Sequence, residues 1–228
     1  MPPRISIDMQ DSTRIEGAVA LVTGANRGIG LAITEALMER GATKVCATAR
    51  DPKTLEVLHE RYGSRLVPLR LDVTNGEQVA EVASQAKDLD LLFNNAGAFE
   101  PTELTSEAIV DAARREMEAN YFGALRLLRS FADTLTRSGG VIVNINSAAG
   151  LTNVPLQPTY SASKAAQHSL TQASRALLAP RCVTVHGVYP GPVDTAMTTH
   201  LPPEFEKTSP VHVAMEILVE QRSPVAVQ

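Results

Sequence analysis

The stretch "TGANRGIG", residues 23–30, decides how the rest of the chain is read. It follows the apolar run "AVALV" and opens directly into "GLAITEALMERG", whose apolar residues recur at helical spacing. A plain strand-to-helix turn seldom needs three glycines. Gly24, Gly28 and Gly30 permit a tight turn and let the backbone approach a pyrophosphate closely at the helix N-terminus. The spacing is T-G-x-x-x-G-x-G, a variant of the more common G-x-G-x-x-G, and it predicts nucleotide binding.

Outward from that turn, short apolar runs alternate with longer amphipathic stretches. The runs are "AVALVTG", "KVCATAR", "RLVPLRLDV", "LDLLFNNAG", "GVIVNINS" and "CVTVHGVYPG". They are apolar on both faces, which suits parallel strands covered by helices on either side. Between them lie "GLAITEALMERG", with Gly41 as a C-terminal stop, the long "EAIVDAARREMEANYFGALRLLRSFADTL", and a helix from about Pro158 to Leu178. The pattern predicts an α/β fold, a Rossmann-like doubly wound parallel sheet in a single domain spanning 15–228. Residues 1–14 read as a flexible N-terminal arm.

The end of the second strand reports on the ribose. An acidic residue there suits a 2′-hydroxyl, and arginine suits a 2′-phosphate. Here "CATAR" places Arg50 at that point, with Asp51 next, and Arg27 in the glycine turn adds a second guanidinium. NADP(H) is therefore expected over NAD(H).

Composition narrows the setting. Of 228 residues, 44% are hydrophobic and 20% charged, so one substantial core is expected. A net charge of −4 offers no electrostatic case for nucleic acid or an anionic membrane as partner. Cys46 and Cys182 both sit in apolar runs and read as buried free thiols. The N-terminal residues lack the apolar core of a signal peptide, and no run reaches the roughly 20 apolar residues of a membrane helix. A cytoplasmic protein is expected, and no metal site is assigned.

Chemistry enters with "YSASK", residues 160–164. Residues four apart on a helix share a face, so the Tyr160 hydroxyl and the Lys164 ammonium converge. A phenol has a pKa of about 10, and a nearby cation lowers it towards acid/base use at neutral pH. The pair alone is weak evidence, since chance spacing produces it too.

The ordered set of motifs resembles the classical short-chain dehydrogenase/reductase family, from about Gly17 to at least Thr195. "TGANRGIG" is similar to its cofactor turn, adding Asn26 and Ile29 to the glycines and Arg27. "LDVT" supplies Asp72 and Val73 at the adenine. "NNAG" supplies Asn95, Ala96 and Gly97 along the cofactor, and "PGPVDT" supplies Pro190, Gly191, Val193 and Thr195 on the nicotinamide side. The resemblance implies a catalytic set of Asn120, Ser147, Tyr160 and Lys164. Tyr160 would be the general acid/base, and Lys164 would lower its pKa and bond the nicotinamide ribose. Ser147 would hold the substrate oxygen, and Asn120 would position a water in a proton relay. His168 reads as a helix-surface or interface residue, His186 reads as structural, and Asp194 receives no chemical role.

An NADP(H)-dependent oxidoreductase is the function implied, reducing a small hydrophobic ketone or aldehyde to an alcohol, or the reverse. Expected pocket walls are Phe99, Ala148, Ala149, Leu151, Leu156, Tyr189 and Met197. A different reading is a non-catalytic NADP-binding regulator or sensor with the same fold, against which the intact Ser147, Tyr160 and Lys164 argue. After the "PG" motif the chain departs from the family: the lid "TAMTTHLPPEFEKTSP" is brief, "VHVAMEILVEQ" reads as a helix, and only "SPVAVQ" remains for a last strand. A truncated C-terminus is one explanation. The resemblance implies pairing through the long helix carrying Asn120 and the helix carrying Tyr160, and the small residues Ser161, Ala162, Ala165 and Ala166 suit that close approach, so a homodimer is expected, with a tetramer second.

Overall fold

A computed structural model describes residues 15–202 and 204–218. The expected N-terminal arm and the "SPVAVQ" strand lie outside the described residues. The strands are β1 (Val19–Val22), β2 (Lys44–Ala49), β3 (Leu66–Arg70), β4 (Leu91–Asn94), β5 (Val141–Ile145) and β6 (Thr184–Val188). The helices are α1 (Gly28–Glu39), α2 (Glu56–Tyr62), α3 (Gly76–Gln85), α4 (Ile109–Met117), α5 (Ala124–Ser138), α6 (Pro158–Leu178) and α7 (Pro210–Leu218). The strands pair in parallel, in the order β3-β2-β1-β4-β5-β6.

Both faces of the sheet are buried, as the unbroken apolar runs require. Ala20, Val22, Val45, Ala47, Leu91 and Phe93 point to one side, where Ile33 and Leu37 of α1 and Ala214 and Leu218 of α7 cover them. Leu21, Cys46, Leu92 and Ile142 point to the other, against Leu127, Phe131 and Leu135 of α5 and Val79 and Val82 of α3. Strand order reverses between β1 and β4, and that switch opens a crevice at the carboxyl ends of the strands. The glycine turn leaves β1 there, and "NNAG" leaves β4 beside it.

Gly41 stops α1 in the left-handed region at φ 86°, with Ala42 N–H donating to the Leu37 carbonyl at 3.1 Å. The long amphipathic stretch is not one regular helix. A π-helical segment, Glu118–Gly123, separates α4 from α5 and carries Asn120. Gly123 in that segment fits closely, since a Cβ there would lie 2.8 Å from Val73 Cγ2.

One cysteine expectation is corrected. Cys46 is buried in β2, but Cys182 is exposed. The apolar run containing it begins as a strand only at Thr184, and Cys182 occupies the turn after α6 at φ 58°. None of the described helices is long and apolar enough to cross a membrane.

Candidate active site

The glycine turn is built for close approach. Gly24 and Gly28 hold φ of 65° and 55°, a region L side chains rarely enter. A Cβ on Gly30 would fall 2.2 Å from the Gly24 carbonyl oxygen, so the start of α1 packs directly onto the turn. Asn95 locks this arrangement from β4: its Nδ2 donates to the carbonyls of Thr23 at 2.8 Å and Gly24 at 3.2 Å. The Thr23 hydroxyl oxygen accepts from the N–H of Asn95 and of Ala96, both at 2.9 Å. "TG" and "NNAG" are thus one hydrogen-bonded unit across the switch point.

Ala25 N–H donates to the Thr48 carbonyl at 2.9 Å, which brings the turn against the end of β2. Arg50 follows two residues on. Arg27 and Arg50 are both exposed, and neither guanidinium makes a hydrogen bond or ion pair among the described residues. Asp51 turns away, accepting from Lys53 N–H at 3.1 Å. Asp72 lies near enough to Arg50 to feel its charge. Burial pushes the Asp72 carboxyl up, but its bonds to the Thr74 hydroxyl and amide, with Arg50, leave it lowered overall. Asn26 and Ile29 are half-buried along the same turn, and Val73 is buried behind Asp72.

The second cluster assembles from β4, β5, α6 and the π segment. Gly97 has room for no side chain, since a Cβ would lie 2.8 Å from Asn120 Oδ1 and 3.7 Å from Lys164 Nζ. Asn120 accepts from Ala98 N–H at 2.8 Å and donates to the Ala98 carbonyl and the Ser163 hydroxyl. Both N–H groups of its amide are thus committed to protein acceptors. Lys164, only 4% exposed, donates from Nζ to the Ile145 carbonyl at 3.1 Å and to Gln167 Oε1 at 2.9 Å. Burial pushes its ammonium down to about 7.

Tyr160 and Ser147 face each other. Burial raises the Tyr160 phenol to about 12, with the Ser147 hydroxyl drawing it down and the Glu116 carboxyl adding to the rise. The expected lowering of this phenol by Lys164 is therefore not what the chain alone produces. Phe99 packs edge-on against Tyr160 with centroids 5.2 Å apart, and the His200 ring lies 4.9 Å from that of Phe99.

The loop 190–195 closes the site. The Pro190 carbonyl accepts from Ala148 N–H at 3.0 Å, which ties it to the Ser147 turn. Thr195 Cγ2 would be 3.1 Å from a Cβ on Gly28, so this loop touches the glycine cradle directly. Val193 is buried and bridges to Thr208, and Gly191 is exposed.

The expected pocket walls differ in exposure. Leu156 is 87% exposed, and Ala149 is buried. Tyr189 folds back on its own strand: its hydroxyl lies 2.6 Å from His168 Nδ1 and would lie 2.5 Å from a Cβ on Gly187. His168 is thus half-buried and hydrogen-bonded within the chain. His186 is buried, and burial pushes its imidazole down to about 4, so it stays neutral as a structural residue. Sequence reading missed Gln167 and Glu116. The first stands three residues beyond Lys164 and the second four before Asn120, spacings that place each on the same helix face.

The sequence profile described as short chain dehydrogenase matches residues 18–205. An uncharacterized oxidoreductase of Staphylococcus aureus (strain MRSA252) is 33% identical over 218 residues, covering 93% of this chain and 94% of its own. Among solved structures, a short chain dehydrogenase from Burkholderia cenocepacia J2315 in complex with NADP is 44% identical. It superposes with a TM-score of 0.84 over 90% of this chain and 84% of its own. An alcohol dehydrogenase from the archaeon Thermococcus sibiricus, complexed with 5-hydroxy-NADP, is 28% identical with a TM-score of 0.79, covering 88% of each chain. The chain thus matches the family profile over most of its length and has relatives of nearly the same length, and it belongs to the short-chain dehydrogenase family of oxidoreductases.

Proposed function

We propose that the chain is an NADP(H)-dependent reductase of hydrophobic ketones or aldehydes, with Tyr160 as general acid/base. The observation that carries this reading is the Ser147–Tyr160 pair at the crevice rim with the Lys164 ammonium behind the phenol ring. The cradle fits the cofactor: positive-φ glycines leave the helix N-terminus open to a pyrophosphate, and Arg27 and Arg50 stand unpaired where a 2′-phosphate would be met. The relative 44% identical to this chain is itself a complex with NADP.

NADPH supplies the hydride. The chain's own residues do the rest. Ser147 donates a hydrogen bond to the substrate oxygen, where negative charge develops. Tyr160 gives that oxygen a proton in the reducing direction and removes it in the other. Lys164 holds the ribose side and supplies the charge that the phenolate needs. Asn120 fixes the Gly97–Ala98 backbone against Lys164, which keeps the crevice floor in register. Phe99, Leu151 and Met197 give the mouth its apolar character.

The test is a panel of aromatic and aliphatic carbonyls and alcohols assayed with both nucleotides. Tyr160→Phe keeps the ring and should leave NADPH affinity unchanged, while turnover falls by roughly 10²–10⁴. Near-parent turnover in that variant overturns the assignment.

A further inference from the structure

Glu116 is a carboxylate with no exposed surface, set in α4 beside the site. Isolating such a group from water is costly, so its neighbours matter. Its Oε1 accepts from Glu100 N–H at 2.8 Å. The Thr159 hydroxyl lies near enough to draw the carboxyl's pKa down, although burial raises it overall, and Oε2 makes no hydrogen bond among the described residues. Those two contacts flank Tyr160. Glu100 follows Phe99, whose ring braces the Tyr160 ring at 5.2 Å, and Thr159 immediately precedes Tyr160.

Holding the loop after β4 would not by itself need this group. Arg115 already grips the Glu100 carboxylate through two bonds, from Nε at 2.7 Å and from Nη2 at 2.6 Å. The buried carboxyl adds what that surface pair does not, a link from the loop to the start of α6. It is also near enough to the phenol to push its pKa upward.

We propose that Glu116 is the positioning residue of Tyr160, one carboxyl that fixes the phenol from both sides by holding the Phe99–Glu100 backbone and the Thr159 hydroxyl together. This rests on the reading of Tyr160 as acid/base. Glu116 touches neither substrate nor cofactor, and it acts through the orientation of the ring.

The experiment compares E116L and E116Q with the parent full-length protein. Gln keeps an acceptor for Glu100 N–H and a polar group towards Thr159, and Leu keeps only bulk. Amide exchange is followed in segments 98–102 and 158–163. Both should exchange about tenfold faster in E116L and recover in E116Q, with β2 and β3 unchanged. With 2,3-hexanedione as probe, kcat of E116L should fall by about tenfold to 10²-fold while KM for NADPH holds, as expected for a misplaced catalytic group. E116Q should restore most of that loss. Loosening of 98–102 alone, loosening of the whole chain, or an E116Q as impaired as E116L overturns the proposal. If the parent is inert towards every carbonyl, the reductase reading fails, while the exchange pattern still decides whether Glu116 couples the two segments.

Discussion

Lys164 Nζ stands 5.8 Å from the centroid of the Tyr160 ring, yet its hydrogen bonds go to the Ile145 carbonyl and Gln167 Oε1. The chain thus holds the lysine behind the phenol by neutral acceptors that do not compensate its charge. Burial lowers Lys164 to about 7, far below a lysine in the unfolded chain.

The sign of the resulting pH dependence follows directly. Between about 7 and 10 the unfolded chain keeps a proton on Lys164 that the folded chain has released, so stability rises with pH in that window. The slope contributed approaches about 1.4 kcal/mol per pH unit at most. Urea unfolding of the protein without nucleotide at the two ends of the window should show the rise, and Lys164→Met should remove it. Parallel pH dependence in parent and variant would mean that Lys164 remains charged in the fold.

Arg50 follows β2 by one residue and is free of protein partners among the described residues, while Asp51 is committed to its own turn. Replacing Arg50 with Asp should weaken NADPH binding by about 1–3 kcal/mol, the scale of a lost charged hydrogen bond, and leave NADH nearly unaffected. Calorimetric titration with both nucleotides measures this. Parent protein that binds NADH as tightly as NADPH is incompatible with the assignment.

Gly30 allows no substitution on geometric grounds. Alanine would set its methyl 2.2 Å from the Gly24 carbonyl oxygen and 2.5 Å from Asn95 Nδ2, both part of the hydrogen-bonded switch point. Neither atom is the free end of a flexible side chain. Gly30→Ala should cost about 1–3 kcal/mol of stability through overpacking and abolish nucleotide binding. Thermal unfolding with and without NADP reads both effects. A variant that retains parent Tm and nucleotide affinity would show that the turn can relax away from α1.

How much of this was legible in the sequence depends on the range of the contact. The six strands, Gly41 as a helix stop and the span of α6 follow from local periodicity and turn chemistry, and they emerge as expected. The π segment does not announce itself in local periodicity, and the close packing of its Gly123 on Val73 joins distant parts of the chain. Tyr189 reads as a pocket residue from its place beside the "PG" motif, and the contact of its hydroxyl with His168 of α6 is one that no local pattern announces. The spacing of "YSASK" correctly brings Lys164 under Tyr160 and says nothing of how deeply both are buried. That depth sets their pKa values, so the direction of the Tyr160 shift was beyond the motif's reach.

Assembly gives the last prediction. Family resemblance pointed to pairing through the long helix carrying Asn120 and the helix carrying Tyr160. The structure refines which small residues are open to a partner. Ser161 is buried, its hydroxyl accepting from Val154 N–H at 3.1 Å, whereas Ala162 and Ala165 are exposed on α6. Phe122 of the π segment and Leu125 of α5 are also exposed, at 42% and 37%. Small outward residues on one helix with large apolar ones nearby suit helices packed about 8–10 Å apart across a two-fold axis. The parent protein should run as a dimer in light scattering on a size-exclusion column. Ala165→Arg places a long charged side chain where a helix would approach, and it should yield monomer with parent-like helical content. A monomeric parent rules out this interface. A dimer that survives Ala165→Arg moves it to another face, and a parental tetramer that falls to dimer with the variant keeps it alongside a second contact.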